Sequence, residues 1–400
     1  MNTHLRKSLI YSIMALVLVN ACKQHTKEDD HAQKLDPMEV HQAVTTIDTH
    51  IDFNVSYFSD TLNYTHELDI QADLPKMERG GLDVPWLVVY TAQGELTPEG
   101  YAAAMDNAIA KFDAIDRLVN VYAPDRIALA RNSREVDSII QIGKKVAMIG
   151  IENGYPIGLD TANVRKFYER GARYLSLSHN GHNQLSDSQT GDIDGIYMHD
   201  GVSELGKQVI QLCNYYGIML DISHPSEESI RQTLEYSKAP IIASHSSVRE
   251  LSEHTRNLSD ELLELLKENG GVIQIVALHA YLNREKHYKY TAARDSILAI
   301  DPNTDIESIK SQFPPVDVGD LVDHIDYVRD KIGIDHIGIS SDFDGGGGIE
   351  GWNDASETYN VTLELIERGY SQEEIEKIWG GNLLRVLDSV QAISKKLQEK

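Results

Sequence analysis

The feature that most constrains the fold is an alternation of short apolar runs with amphipathic stretches, which begins at about residue 44. The runs are rich in β-branched residues and predict strands, whereas the stretches between them, such as residues 203–217 and 259–271, have helical periodicity. Strands that alternate with helices form parallel βαβ units, and eight of them favour a single closed α/β domain, a (β/α)8 TIM-type barrel, over an open sheet. The predicted strands are residues 45–53, 84–92, 146–153, 174–179, 217–224, 240–247, 271–279 and 336–344.

Six of these runs end in histidine or acidic residues, the side chains that bind metals and transfer protons. They are His50, Asp52, Glu152, His179, His224, His245 and Asp342. The C-terminal ends of barrel strands meet on one face, so residues far apart in sequence share a pocket there. Like charges repel in a partly dry cleft, and two divalent cations would neutralise such a cluster. The pattern therefore predicts a binuclear metallohydrolase.

The candidate ligands differ in what each side chain can do for a cation. His50 and Asp52 are two positions apart, which puts both on the same side of a strand. Glu152 has two carboxylate oxygens and can bridge two cations, although a loop glutamate that accepts backbone N–H groups is the alternative. His224 and His245 end successive strand–helix units in register, and neutral imidazole suits zinc.

Three further positions leave alternatives open. Asp342 ends the last run, where it could bind one metal and accept a proton from water, and Asp344 is its competitor. His179 could bind metal or donate a hydrogen bond to the oxyanion of a tetrahedral intermediate, with His182 as its competitor. Arg256 suits a substrate carboxylate, and a surface ion pair is the alternative.

The N-terminus has the pattern of a bacterial export signal. Residues 1–21 combine a basic start with an apolar core too short for a comfortable membrane span. The residues around Cys22 resemble a lipoprotein box, which predicts a lipidated Cys22 anchored in the cell envelope; an ordinary cleaved signal is the alternative. Lys23 after the cysteine favours the outer membrane, with the protein facing the periplasm or the surface. Residues 22–40 are polar and without periodicity, which predicts a flexible tether.

Composition limits the partners and the covalent cross-links. The chain of 400 residues has a formal net charge of −25, which repels nucleic acid and anionic membranes, so we expect membrane contact only through the lipid anchor. The only other cysteine is Cys213, so lipidation of Cys22 excludes an intrachain disulfide. We therefore expect one large catalytic domain over residues 41–400, with a long polar insertion or lid near 283–316.

At these motifs the chain resembles the membrane dipeptidase (renal dipeptidase) family of zinc peptidases, in its bacterial lipoprotein form. The similarity runs from about residue 45 to 390 and includes, in order, IDTHID, the Glu152-Asn-Gly turn, YLSLSHN, LDISH, SHSSVRELSEHTRN, SDFDG and GGNLLRVL. The resemblance implies two Zn²⁺ per chain, with Glu152 bridging them. It implies His50, Asp52 and Asp342 at one zinc, and His224 and His245 at the other.

The same resemblance implies the reaction. A hydroxide that bridges the metals would hydrolyse dipeptides, including those with a C-terminal D-residue, with Asp342 and Glu152 taking part in catalysis. His179 would lie near the scissile carbonyl oxygen and Arg256 at the substrate's C-terminal carboxylate. The alternatives are a zinc amidohydrolase for N-acyl amino acids, lactams or lactones, and a binding lipoprotein without turnover. We also expect a homodimer. The family's substrate-contacting tyrosine after strand seven aligns with Leu278, so that contact stays unassigned.

Overall fold

A computed structural model describes residues 36–400, which contain nine β-strands. The strands are β1 Ile47–Ile51, β2 Val84–Tyr90, β3 Ile127–Leu129, β4 Lys145–Glu152, β5 Ala172–Ser176, β6 Met219–Asp221, β7 Ile242–Ser246, β8 Val272–Val276 and β9 Ile337–Ser340. Eight of them coincide with the eight predicted runs. The ninth, β3, was not predicted, because three residues are too few to show a period.

The same residues contain sixteen α-helices, most of which connect successive strands. They are α1 Pro37–Ala43, α2 Leu74–Gly80, α3 Pro98–Arg117, α4 Ser133–Gln141, α5 Ala162–Glu169, α6 Gly191–Asp194, α7 Glu204–Tyr216, α8 Glu227–Tyr236, α9 Asp260–Asn269, α10 His279–Leu282, α11 Arg284–Ile300, α12 Ile306–Gln312, α13 Val318–Ile332, α14 Tyr359–Glu367, α15 Gln372–Glu376 and α16 Asn382–Gln398. None of these helices is long and apolar enough to span a membrane.

The sheet is a nearly closed parallel barrel. Its strand order is β1-β2-β4-β5-β6-β7-β8-β9, and every neighbouring pair is parallel. The first and last strands meet just beyond their ends, where Ile51 forms a parallel bridge with Phe343 and the Asp52 backbone N–H donates to the Phe343 carbonyl at 2.9 Å. The short strand β3 lies outside this ring and pairs with β4. The predicted (β/α)8 fold is confirmed.

Capping residues in the sequence set several helix ends. Ser203, Ser226 and Ser259 each accept a backbone N–H bond in the first turn of α7, α8 and α9. Gly217 and Gly270 end α7 and α9 with φ of 83° and 79°, a left-handed conformation that glycine adopts without strain. The predicted helices at 203–217 and 259–271 are therefore observed, and each returns the chain to the next strand.

The strands are buried on both faces, as expected when helices cover a parallel sheet. Alternate strand positions form one cluster, in which the rings of Trp86 and Tyr174 stack 5.2 Å apart. Gly150 on β4 faces Tyr174 so closely that a Cβ there would lie 1.9 Å from the ring. The glycine therefore makes room for a tyrosine whose hydroxyl reaches the site described below.

The structure bears differently on the predicted signal and on the predicted tether. The signal (residues 1–21) and the lipidation site Cys22 lie outside the described residues. Residues 37–40, assigned to the tether from their polar sequence, instead begin α1, because the Asp36 side chain caps that helix and Val40 packs into the core.

The insertion predicted near residues 283–316 forms α11 and α12. No residue of α11 is buried, and Lys286 joins it to α13 through Asp317 and Asp320, at 2.8 and 2.6 Å. Ile309 of α12 is buried. The polar sequence therefore folds as helices on the domain surface.

Candidate active site

The predicted site residues meet at the C-terminal ends of the barrel strands. Seven side chains form three overlapping sets whose ligand atoms lie within 4.8 Å of one another. The sets are His50 with Glu152 and His245, Glu152 with His179 and His224, and His50 with Asp52 and Asp342. They include all six residues predicted to bind metal, and every member of the cluster except His50 lines a cavity of about 650 Å³. The sequence prediction of a single cluster therefore agrees with the geometry.

Glu152 lies at the centre of this cluster, and its two carboxylate oxygens face different neighbours. Its Oε1 is 2.9 Å from His224 Nε2, 3.4 Å from His245 Nε2 and 3.6 Å from His179 Nε2. Its Oε2 is 3.4 Å from His50 Nε2. Glu152 ends β4, and no backbone N–H group of residues 36–400 donates to its carboxylate, so the alternative of a loop glutamate that accepts backbone N–H groups does not describe it. This is the arrangement required of a carboxylate that bridges two cations.

The second group lies on the other side of Glu152. His50 and Asp52 project from the end of β1 to the same side, with 3.5 Å between Nε2 and Oδ2, and Asp342 Oδ1 is 3.9 Å from the same His50 nitrogen. Asp342 has a φ of 56°, which is costly for a residue with a side chain and is typical of functional sites. Gly345 completes the turn, since a Cβ there would lie 2.4 Å from Asp52 Oδ2 and 2.5 Å from Asp342 Oδ1.

Hydrogen bonds behind the histidines fix which ring nitrogen carries the proton. Ser244 Oγ donates to Asp221 Oδ2 at 2.7 Å, so towards His245 Nδ1, at 2.8 Å, it can only accept. The Tyr174 hydroxyl donates to the Thr49 carbonyl at 3.1 Å and in the same way accepts from His50 Nδ1 at 3.2 Å. In both rings Nδ1 is therefore the donor, which turns Nε2 towards Glu152. In His245, whose pKa burial lowers, Nε2 carries the lone pair. In His50, burial lowers the pKa but Glu152 and Asp52 raise it well above its usual value.

His224 has the same orientation. Its Nδ1 lies 3.1 Å from Asn180 Oδ1, an oxygen that also accepts from Gln189 Nε2. Its Nε2 accepts from Arg256 Nη2 at 3.0 Å, and it lies 3.0 Å from His245 Nε2 and 2.9 Å from Glu152 Oε1. Three donor atoms of the kind that bind a divalent cation therefore converge at this point, beside the Arg256 guanidinium.

The side chains therefore fit a pair of divalent cations. His50 Nε2 is buried and has no hydrogen-bond partner among residues 36–400. Burial raises the pKa of Asp342 to about 8, with Asp52 and Glu152 adding to the increase and His50 opposing it. Burial and nearby positive groups hold the pKa values of His224 and His245 well below the usual value, which keeps them neutral. Neutral imidazoles with carboxylates are the donors that zinc prefers.

Arg256 is part of the pocket wall rather than of the surface. It is 3 % exposed. Its guanidinium donates to the Ser223 and His245 carbonyls, the latter at 3.3 Å, and its Nη2 donates to His224 Nε2 at 3.0 Å. Among the described residues, no carboxylate lies within 4.0 Å of it and its Nε has no partner. The surface-ion-pair alternative is therefore wrong, and the guanidinium has no counter-charge in direct contact among residues 36–400.

The competing candidates have structural partners instead. His182 Nδ1 lies 3.0 Å from a buried oxygen of Asp187, within the loop that follows β5. Asp344 accepts from the backbone N–H groups of Gln71 and Ala72, at 2.9 and 3.2 Å. His179 and Asp344 both line the cavity, but only His179 contacts the cluster, with its Nε2 3.6 Å from Glu152 Oε1; burial lowers the pKa of His179. The structure thus favours His179 and Asp342 over their competitors.

The cavity has further walls that the sequence analysis did not identify. Leu278 and Tyr281 both line it, and the Tyr281 ring lies 5.5 Å from the Arg256 guanidinium. Tyr90 packs edge-on against His179, with ring centroids 4.8 Å apart, and Lys111 reaches the cavity from α3. Tyr90 ends strand β2, so the rule that the C-terminal ends of barrel strands meet in one pocket would also have predicted it. Lys111 lies within a helix, where that rule does not apply.

Comparison with known proteins agrees with this site. A sequence profile of the membrane dipeptidase family, peptidase family M19, matches residues 36–400. The chain is 31 % identical over 371 residues to dipeptidase verJ of Clonostachys rogersoniana, covering 89 % of this chain and 87 % of that protein. It is 30 % identical over 353 residues to dipeptidase tcpJ of Claviceps purpurea, covering 87 % and 75 %.

A solved structure is similar over almost the same length. The probable dipeptidase PvdM from Pseudomonas aeruginosa superimposes with a TM-score of 0.78 at 32 % identity, over 89 % of this chain and 98 % of that one. The resemblance stated from the motifs is confirmed by sequence and by fold. The chain belongs to the membrane dipeptidase family of metallopeptidases.

Proposed function

We propose that this protein is a binuclear zinc dipeptidase whose substrates include dipeptides with a C-terminal D-residue. The observation that carries the proposal is the position of Glu152, whose Oε1 faces His224 and His245 while its Oε2 faces His50. Such a carboxylate serves two cations at once. Membership of the dipeptidase family supplies the substrate class.

The proposed metal ligands divide into two groups that share Glu152. His50, Asp52 and Asp342 would hold one zinc, and His224 and His245 the other. When bound, the zinc ions supply the Lewis acidity that lowers the pKa of a water molecule and polarises a peptide carbonyl.

The chain's own residues would then bind the substrate and move the proton. Arg256 would hold the C-terminal carboxylate through its guanidinium. His179 would donate a hydrogen bond to the scissile carbonyl oxygen as negative charge develops there. Asp342 would take the proton from the attacking water and pass it to the leaving amine. Because Asp342 contacts the His50 group and His179 the His224 group, the substrate carbonyl would lie between them.

Tolerance of a D-residue follows from where the substrate is held. Arg256 and the metal centre fix the carboxylate and the carbonyl, which leaves the C-terminal side chain directed to the open mouth of the cavity. An enzyme of the cell envelope with this property could act on dipeptides from peptidoglycan, where D-amino acids occur.

A panel of dipeptides tests both parts of this proposal. The zinc-loaded protein should release free amino acids from L,L dipeptides, with kcat/KM for the matching L,D diastereomers within about 10⁴-fold, or roughly 5.5 kcal/mol of transition-state discrimination. A larger loss for L,D substrates would show a closed chiral pocket and contradict the stereochemical part. No release from any dipeptide would contradict the activity itself.

We also propose that the protein is a lipid-anchored homodimer of the cell envelope, facing the periplasm or the surface. The anchor rests on the sequence around Cys22. Mass spectrometry of the mature N-terminus should find an acylated Cys22, and an unmodified start elsewhere would remove the anchor. Sedimentation of the detergent-solubilised protein should give the mass of a dimer, and a monomer mass would exclude one.

A further inference from the structure

Lys111 faces the cavity from the side opposite Arg256. It lies on α3, the helix after β2, whereas the Arg256 loop follows β7. In the barrel β4, β5 and β6 separate β2 from β7 in one direction, and β8, β9 and β1 in the other. Both residues line the same cavity, as do Glu152 and Asp342 of the proposed metal-binding cluster. The pocket therefore has a cationic side chain on each of two opposite walls.

The Lys111 ammonium is buried without an anionic partner. The residue is 8 % exposed, and its Nζ donates to the Phe53 carbonyl at 3.0 Å and lies 3.5 Å from the Val88 carbonyl. No carboxylate of the described residues lies within 4.0 Å of this nitrogen, whereas Lys76, equally buried, has Asp73 at 2.7 Å. Burying a charge without a counter-charge is costly, so an anionic ligand group that contacts this ammonium would be stabilised.

The surroundings of Lys111 leave one proton of its ammonium group for a ligand. The two carbonyls take two of its three protons, and the Phe53 ring lies 4.6 Å from Nζ. Phe53, Tyr90 and Asn107 line the cavity on the same side. A ligand that reaches the remaining proton beside these side chains would need a hydrogen-bond acceptor, preferably an anionic one.

We propose that Lys111 is a specificity-determining residue that binds an acidic side chain on the N-terminal residue of the dipeptide. The inference rests on the proposed function, in which Arg256 holds the C-terminal carboxylate and the scissile bond lies over the cluster. The N-terminal residue then extends towards the opposite wall, where Lys111 lies. A glutamyl or aspartyl side chain supplies the carboxylate that this ammonium lacks.

The test compares two substrates that differ only in charge. L-glutamyl-L-alanine should exceed L-glutaminyl-L-alanine in kcat/KM by about tenfold, the size of one charge-assisted hydrogen bond. In Lys111→Met the glutamyl substrate should lose about tenfold and the glutaminyl substrate little, which removes the preference. Lys111→Arg, which retains the positive charge, should keep part of the preference for the glutamyl substrate. Lys267→Met, at an exposed position of α9, is the matched control and should leave both rates unchanged.

Each outcome decides between distinct explanations. Equal rates for the two substrates in the unmodified protein would overturn the inference even if Lys111→Met fails to fold. A loss of the same size for both substrates in Lys111→Met would show that the lysine only holds the Phe53 carbonyl, and would also overturn it. Hydrolysis of L-alanyl-L-alanine in parallel separates this failure from a failure of the dipeptidase function, because that substrate carries no side-chain charge.

Discussion

Replacing Glu152 by glutamine should abolish dipeptide hydrolysis, with kcat/KM falling by at least about 10³-fold, or about 4 kcal/mol of transition-state stabilisation. The amide has the size of the carboxylate but offers one neutral oxygen in place of two charged ones. Its second arm would be an NH₂ group directed at His50 Nε2 or at the His224 and His245 nitrogens, all of which lie within 3.4 Å of the carboxylate. Metal analysis of the purified variant should therefore show less zinc per chain.

The matched control is Glu268→Gln, which makes the same substitution at an exposed position of α9. It should retain zinc and activity. If Glu152→Gln were to keep its full zinc content and its activity, the carboxylate would not be a bridge, and the proposed division of the ligands into two groups would fail.

Replacing Arg256 by methionine should reduce kcat/KM for a dipeptide by about 10²–10³-fold, because the substrate carboxylate loses a buried, charge-assisted partner. The same dipeptide with a C-terminal amide has no carboxylate to lose, so its hydrolysis should change little. The comparison matters because the guanidinium also donates to the Ser223 and His245 carbonyls, next to two proposed ligands. A purely structural effect would lower both rates together.

This experiment separates dipeptide hydrolysis from the alternative of an amidohydrolase for uncharged amides, lactams or lactones. Arg165→Met, at an exposed position of α5, controls for the loss of an arginine elsewhere. If Arg256→Met lowers kcat/KM for the dipeptide no more than for its amide, Arg256 does not recognise the substrate carboxylate. The assignment of dipeptides as substrates would then lose its main structural support.

The barrel strands and the candidate metal ligands were predictable because short stretches of sequence identify both. Each barrel strand lies in a short apolar run, and each candidate ligand lies at or just beyond the C-terminal end of its strand. The rule that barrel strand ends converge is therefore enough to bring Glu152 and Asp342 together. Neither step requires knowledge of side-chain packing. The orientation of Glu152 between two groups does require it, and the sequence indicated only that the carboxylate could bridge.

What the sequence did not reveal depends on tertiary contacts. The helix α11 has no buried residue, so no apolar stripe distinguishes it from a polar loop. Lys111 resembles an ordinary surface residue of α3 until packing buries it behind Phe53. Tyr281 reaches the pocket from the short helix α10 beyond β8, where alignment by count pointed to Leu278; both side chains line the cavity.

The measurement that tests the central claim most directly is a zinc titration of the metal-free protein, followed by hydrolysis of L-alanyl-L-alanine. The metal-free protein should be inactive, and activity should rise with added zinc and saturate at two equivalents per chain, because in the proposed centre Glu152 would be shared by both ligand groups. Full activity without metal, or saturation at one equivalent, would contradict a binuclear centre bridged by Glu152.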